Sequence, residues 1–420
     1  MSAGRRPDVL VVYSAYPTRA TVHDALYSFR RYADAQVHYL NVRLRRAPAY
    51  LRSVPFDLVI FQTSFFSNRF DARFLERTFE RAAPLAALKA VKVMLPQDEF
   101  INTDAVNRFI ADFGIDAVFS VMPPDQWPAI YGGVPEHVRI HQVLTGYLDD
   151  ARVRAIEHIR AREPERPVDI GYRTAGSPPP WFGRHGYLKR QIADVFLERA
   201  PRRGLELDIS TSASDVLLGN DWYRALCRWK YTLGVEGGTS ILDHDGSIRE
   251  RTERYQAEHP DASFEEVEAA CFPGLDGTFR GSSISPRHLE SCASGTCQIL
   301  TEGNYNGILE PWKHYIPVRP DLGNVDEVLE LVRRDDLRRD ITEQAYRDVV
   351  ASGRYTYQSL VNTVMQRSLE TPRAIERPRR RPLWNGAAFG WMQGLDGVDR
   401  LMAKAATRYV NPLRQRLLGR

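Results

Sequence analysis

The feature that most constrains this chain is an alternation, repeated twice, of short β-rich apolar runs with stretches of helical periodicity. In the first 150 residues, Val9 to Tyr13, Val37 to Val42, Leu58 to Gln62, Val91 to Leu95 and Ala117 to Val121 read as strands. Between them, Thr21 to Tyr32, Asp71 to Ala82 and Asp104 to Asp112 read as helices. This alternation specifies a parallel α/β sheet. Such sheets bind ligands outside the carboxyl ends of their strands, so the loops after Tyr13, Gln62 and Leu95 are expected to face a cleft.

A charged helical stretch over residues 151–166 ends in prolines, as a domain boundary does, and the alternation then starts again. Val168 to Tyr172, Leu205 to Ile209, Tyr231 to Val235 and Gln298 to Thr301 are the strands of this second series. Its helices are Gly186 to Arg199, Asp221 to Cys227, Arg287 to Ala293 and two more near 324–334 and 339–351. At 420 residues the chain exceeds what one core usually supports. We therefore expect two Rossmann-like α/β domains, at 1–150 and 168–370, joined by a linker at 151–167 and followed by a basic helical tail at 371–420.

The interruption at about 240–280 holds Asp243-His244-Asp245-Gly246, read as a hairpin turn because Asp and Gly tolerate the backbone angles such turns need. The same residues resemble an Asp-x-Asp metal-binding motif. Ser263 and Glu266 stand at capping-box positions ahead of an acidic surface helix.

Apolar runs far shorter than 18 residues exclude a membrane-spanning helix, and the N-terminus offers no small-residue cleavage site, so a cytoplasmic protein is expected. Cys227, Cys271, Cys292 and Cys297 form no CxxC pair and read as buried, reduced thiols, with no metal site. The net charge of +4 is held entirely by the last fifty residues, which include Arg377-Pro378-Arg379-Arg380-Arg381. The rest is slightly acidic, which argues against nucleic acid as a partner. In the tail, Phe389, Trp391, Met392, Leu395, Val398, Leu401 and Met402 recur on roughly one side of a helix. That helix could lie peripherally on an anionic membrane, beside lipid-linked glycan acceptors, or pack on the N-terminal domain.

The most informative segment begins Ser285-Pro286-Arg287-His288-Leu289-Glu290. Ser before Pro suits a helix start, and Gly295 ends the helix before a strand. "LESCASGTCQIL" is similar to the E-A-x-A-x-G-x-P-V-I pattern of GT-B fold glycosyltransferases, and the sequence after it, through the "His-Tyr" strand His314-Tyr315, resembles a spore-maturation-like, glycosyltransferase family 1-type C-terminal domain. The resemblance implies a donor nucleotide-sugar bound by the second domain, with Glu290 on the ribose hydroxyls and Gly303, Asn304 and Tyr305 near the sugar and phosphates. It implies no cofactor beyond the nucleoside diphosphate-sugar substrate. Where retaining members carry a further Glu seven or eight residues upstream, this chain has Ser282 and Ser283, which leaves the stereochemistry open.

Arg173, at the end of a strand, and Lys189 are candidates to neutralise a departing diphosphate. The Gly-rich loop containing Glu236 and Gly237 could bring backbone N–H groups to phosphate, or Glu236 could bind a sugar hydroxyl. In the first domain, Asp98 and His23 are the candidate bases for an acceptor hydroxyl. The leading expectation is a metal-independent glycosyltransferase acting on a hydroxyl acceptor, in cell-surface polysaccharide or glycoconjugate synthesis. A sugar-nucleotide epimerase and a non-catalytic binding protein of the same fold are the alternatives.

Overall fold

The computed structural model describes residues 6–16, 20–176, 178–370 and 385–405. The chain divides into two compact α/β units. Of the described residues, the first contains those up to Val143, the segment Asp243–Gly246 and those from Tyr357 onward, and the second contains those in Leu144–Leu242 and Ser247–Thr356.

The first unit is built on six parallel strands: β1 (Asp8–Tyr13), β2 (Gln36–Asn41), β3 (Leu58–Phe61), β4 (Val91–Met94), β5 (Ala117–Ser120) and β6 (Arg139–Gln142). They lie in the order β2-β1-β3-β4-β5-β6. β1, β3, β4 and β5 are buried at every position, as strands covered by helices on both faces must be. One core packs around Phe109, whose ring lies 4.1 Å from Phe113, 4.6 Å from Phe79 and 5.0 Å from Phe61 between centroids.

The second unit has β7 (Val168–Arg173), β8 (Leu207–Ser210), β9 (Trp229–Gly234), β12 (Cys297–Thr301) and β13 (Ile316–Val318) in one parallel sheet, ordered β13-β12-β9-β7-β8. A separate antiparallel pair joins β10 (Gly237–Thr239) to β11 (Gly281–Ser283). The helix Phe264–Cys271 carries the expected capping box between Ser263 and Glu266.

The unit boundaries differ from those expected from sequence at three places. The stretch read as a linker is largely the helix Asp150–Arg162, which belongs to the second unit with Ile156 buried; beyond it, Arg166 hydrogen-bonds the carbonyls of Leu226, Trp229 and Ser294. The helix Tyr357–Leu369, expected in the second domain, packs in the first unit against the helix Ala20–Tyr32 and β4, because Tyr357, Leu360, Val361 and Val364 form its buried side. Asp243–Gly246 is no hairpin: it docks on the first unit through Asp243 N–H to Phe100 and Asn102 N–H to Asp243, then leads into the helix Ser247–Glu258. The Asp243 carboxylate accepts the Gly246 amide at 3.0 Å. Among the described residues no three His, Cys, Asp or Glu side chains gather as a metal site.

The tail helix Asn385–Ala405 packs on β2 of the first unit. Phe389 stacks on His38 at 4.1 Å, Asp396 accepts from Arg30 at 2.8 Å and Asp399 pairs with Arg45. Arg377 to Arg381, Arg414, Arg416 and Arg420 lie outside the described residues.

Because Phe109 joins five other phenylalanine rings in a closed core, Phe109→Ala is expected to cost about 3–5 kcal/mol, read as a lowered urea midpoint.

Candidate functional site

In the second unit the strand order reverses between β7 and β9, and the crevice outside the carboxyl ends of those two strands is where ligands bind in sheets of this kind. Arg173 closes β7 and Gly234 closes β9. The two strands approach closely at Gly171, where a Cβ would stand 1.8 Å from the Trp229 indole. Trp229 donates its ring N–H to Asp208 at 2.9 Å, and the same carboxylate pairs with Arg173. Arg173 also donates to the Asp208 carbonyl at 2.6 Å and to its neighbour Tyr172 at 2.9 Å. Only 13% of its side chain is exposed. The expected diphosphate ligand is thus committed to an internal ion pair, because Asp208 on β8 stands directly beside it.

Another arginine takes the exposed place. Arg287, in the first turn of the helix Pro286–Ser294, donates to the Arg173 carbonyl at 2.6 Å and lies 5.2 Å from the Trp222 ring centroid. Glu290, one turn on, accepts the Trp222 indole N–H at 2.8 Å and faces the Tyr223 hydroxyl at 3.4 Å. Burial raises the Glu290 carboxyl above the usual carboxylate range, while the Trp222 bond and the Arg287 charge oppose that shift. Ser285 stands at the N-cap, but its side chain makes no capping bond. Arg287 and Trp222 were missed in the sequence; the signal for Arg287 was its position three residues before Glu290, on the same helix face.

Lys189, on the helix Gly183–Arg199, places its charge near both His185 and His288. His185 hydrogen-bonds with the Glu236 carbonyl at 3.2 Å. His288 is buried between Gln298 at 2.8 Å and the Val235 carbonyl at 3.3 Å. Burial, reinforced by Arg287 and Lys189, brings the His288 pKa down to about 4. Arg184 lies apart from this group, held by Glu265, Glu268 and Asp276.

Glu236, just past β9, is buried and holds the loop after β12. Its carboxylate accepts the Asn304 amide at 3.2 Å and the Tyr305 amide at 2.5 Å, and also bonds Ser282. Gly303 packs so closely that a Cβ would lie 2.5 Å from the carboxylate. Burial nonetheless raises the Glu236 carboxyl above its ordinary value. The Asn304 and Tyr305 amides, in the loop expected near the sugar and phosphates, are therefore occupied by Glu236. Tyr305 is a core residue, fully buried, with its hydroxyl on the Thr301 carbonyl at 2.7 Å. Tyr305 and Asn306 both have positive φ, 45° and 54°. Asn304 is exposed. Gly237 is paired with Ser283 in the β10–β11 ladder, so the Gly-rich stretch is a strand rather than an open phosphate loop.

In the first unit, Asp98 is half-buried just beyond β4 and has φ 55°. Its neighbour Glu99 is fully buried, accepting from Ser120, Tyr131 and the Val121 amide. Burial raises the Glu99 carboxyl. The buried Arg69 ties the same loop by donating to the carbonyls of Gln97 at 2.8 Å and Ile101 at 3.0 Å. His23 is about half exposed and contacts Asp24 and Tyr27 on its own helix. All four cysteines are buried free thiols, and burial pushes Cys292 and Cys297 up to about 12, which keeps them protonated and unreactive at neutral pH.

No protein-family model matches the chain. It is similar to Protein O-glucosyltransferase 1 of Homo sapiens and of Bos taurus, 41% identical over 71 residues in each case, or 16% of this chain. The match spans 18% of the length of those curated relatives. Among solved structures it is similar to a glycosyltransferase from Rickettsia africae ESF-5, with TM-score 0.48 and 9% identity over 89% of this chain and 100% of that one. It is also similar to Anabaena Alr3699/HepE in complex with UDP-glucose, with TM-score 0.45 and 11% identity over 88% of this chain and 100% of that one.

The lowered pKa of His288 sets a pH test. A histidine held neutral in the fold but free to protonate when unfolded contributes stability above its unfolded pKa, about 6.5, that is lost as pH falls towards 4. The loss over that window is expected to be about 3 kcal/mol. Denaturant unfolding at pH 7 and pH 4.5 should show a shallower acid loss in His288→Gln than in the unsubstituted protein.

Proposed function

We propose that this protein is a glycosyltransferase of the GT-B class that moves a sugar from a nucleoside diphosphate-sugar to a hydroxyl acceptor, with the second unit binding the donor. The observation that carries this reading is the arrangement outside the ends of β7 and β9. An exposed arginine and a lysine lie on two helices around His288, and Glu290 is held one turn from that arginine. Positive charge there suits a diphosphate leaving group, and a carboxylate with lone pairs to spare suits two ribose hydroxyls. The 71-residue similarity to a protein named for glucosyl transfer supports the same reaction type.

In the proposed reaction the acceptor oxygen attacks the anomeric carbon as the bond from that carbon to the diphosphate oxygen breaks. Arg287 and Lys189 stabilise the negative charge that develops on the diphosphate, and Glu290 orients the ribose. Asp98, partly exposed in the loop after β4, takes the acceptor proton in this reading. Glu236 acts indirectly, fixing the loop at Gly303 and Asn304 from which the sugar is contacted. Transfer is metal-independent in this reading, with side-chain cations doing the work a divalent ion would otherwise do.

Arg287→Ala is expected to lower turnover about 100-fold, the usual scale for losing one stabiliser of developing charge. Arg173→Ala should instead appear mainly as lost thermal stability, since it breaks the Asp208 pair. The assay is release of nucleoside diphosphate from a panel of donors with hydroxyl acceptors, in EDTA. Release that needs no acceptor, or a full panel without turnover, overturns the proposal.

A further inference from the structure

The helix Asn385–Ala405 has two faces, and packing on the first unit uses only one. Ala388, Phe389, Met392, Asp396 and Asp399 are buried. On the other side Trp391 is 64% exposed, Leu401 67%, Val398 50% and Met402 47%. Ala387, Gly390 and Gly394 lie among them, also exposed. At the helical repeat these seven residues span an arc of about 120° that contains no charged side chain. The acidic residues of the helix point the other way, Asp396 to Arg30 and Asp399 to Arg45.

Charge indicates what covers this face. Residues 371–384 carry five arginines and one glutamate, and residues 403–420 carry five lysines or arginines and no acid. A second copy of the chain would bring two such cationic sets together, which opposes pairing. An anionic surface attracts both. Trp391, about 20° inside one end of the apolar arc, suits the boundary between headgroups and acyl chains. No helix among the described residues is long and apolar enough to cross a membrane, so such contact is lateral.

We propose that the outward face of Asn385–Ala405 lies on an anionic lipid surface, with its inward face fastened to β2. The full chain should sediment with vesicles of phosphatidylglycerol and phosphatidylcholine, weakly or not at all with phosphatidylcholine alone, and less as salt rises. The double substitution Trp391→Glu and Leu401→Glu should lower anionic-vesicle partitioning about tenfold or more, because apolar burial carries much of such binding. Both positions are exposed, so the thermal midpoint should stay unchanged, and a change there would mean the face is already covered and overturn the proposal. Undiminished binding by the double variant would assign the attraction to the basic segments alone and sink the role of the helix face. If the unsubstituted protein ignores anionic vesicles, the proposal also fails. A dimer abolished by the double variant would then identify a second copy as the occupant, and a monomer would point to the chain's own C-terminal residues.

Discussion

The candidate site in the second unit depends on the Glu236 carboxylate. It closes a loop in which two consecutive residues other than glycine, Tyr305 and Asn306, hold left-handed backbone angles. That conformation costs about 1–2 kcal/mol per residue. Hydrogen bonds to a charged acceptor contribute about 1.5–3 kcal/mol each, so the amides of Asn304 and Tyr305 on Glu236 are of the size needed to offset the strain. Asn306 adds a further tie by accepting the Ile284 amide at 2.6 Å. The loop after β12, β11 and the end of β9 thereby become one braced assembly. Ser282, on β11, also bonds the Glu236 carboxylate, which comes from the short connection between β9 and β10.

The same reasoning separates the two arginines near β7. Arg173 and Asp208 lie on adjacent parallel strands, with Trp229 donating to the same carboxylate, and a cation in such an arrangement is partnered before any ligand arrives. Recruiting it would leave Asp208 half-buried without its ion partner, a loss comparable to what a phosphate contact returns. Among the described residues Arg287 donates to a carbonyl from one of its nitrogens and rests against Trp222, so its guanidinium is oriented while the residue stays exposed. Preorganisation of this kind favours stabilising charge that appears only during reaction.

How far the sequence was legible follows from what kind of information each feature requires. Strands such as Val9 to Tyr13 and Val91 to Leu95 are short β-rich runs, apolar throughout in the first and apart from Lys92 in the second, and burial on both faces made them readable within a residue or two. β6 was not read, because Arg139–Gln142 is an edge strand with half its positions exposed and no apolar run. β10 and β11 were hidden for a different reason: Gly-Gly-Thr and Gly-Ser-Ser have little strand propensity and pair only because their partners are brought together from 42 to 46 residues apart. Glu290 could be placed on its helix from pattern alone. The partners that decide the roles of Arg173 and Glu236 come from Asp208, Asn304 and Tyr305, contacts separated by 35 to 69 residues that no local spacing encodes.

The first unit supports Asp98 by a related device. Glu99 and Arg69 are both buried, yet neither relies on the other as its hydrogen-bond partner: Glu99 is satisfied by Ser120, Tyr131 and Val121, and Arg69 by backbone carbonyls on either side of Asp98. Burying a guanidinium for the sake of two carbonyls is costly compared with leaving it in water, and burial lowers the Arg69 pKa accordingly. The return is geometric. Gln97 and Ile101 are held at fixed points with Asp98 and Glu99 between them, and Asn102, also left-handed, is pinned by its side chain to the Arg69 carbonyl. A loop whose ends and centre are anchored by buried polar groups cannot relax the φ of Asp98 without breaking several bonds at once. This leaves the aspartate partly accessible while its backbone is held in a single conformation.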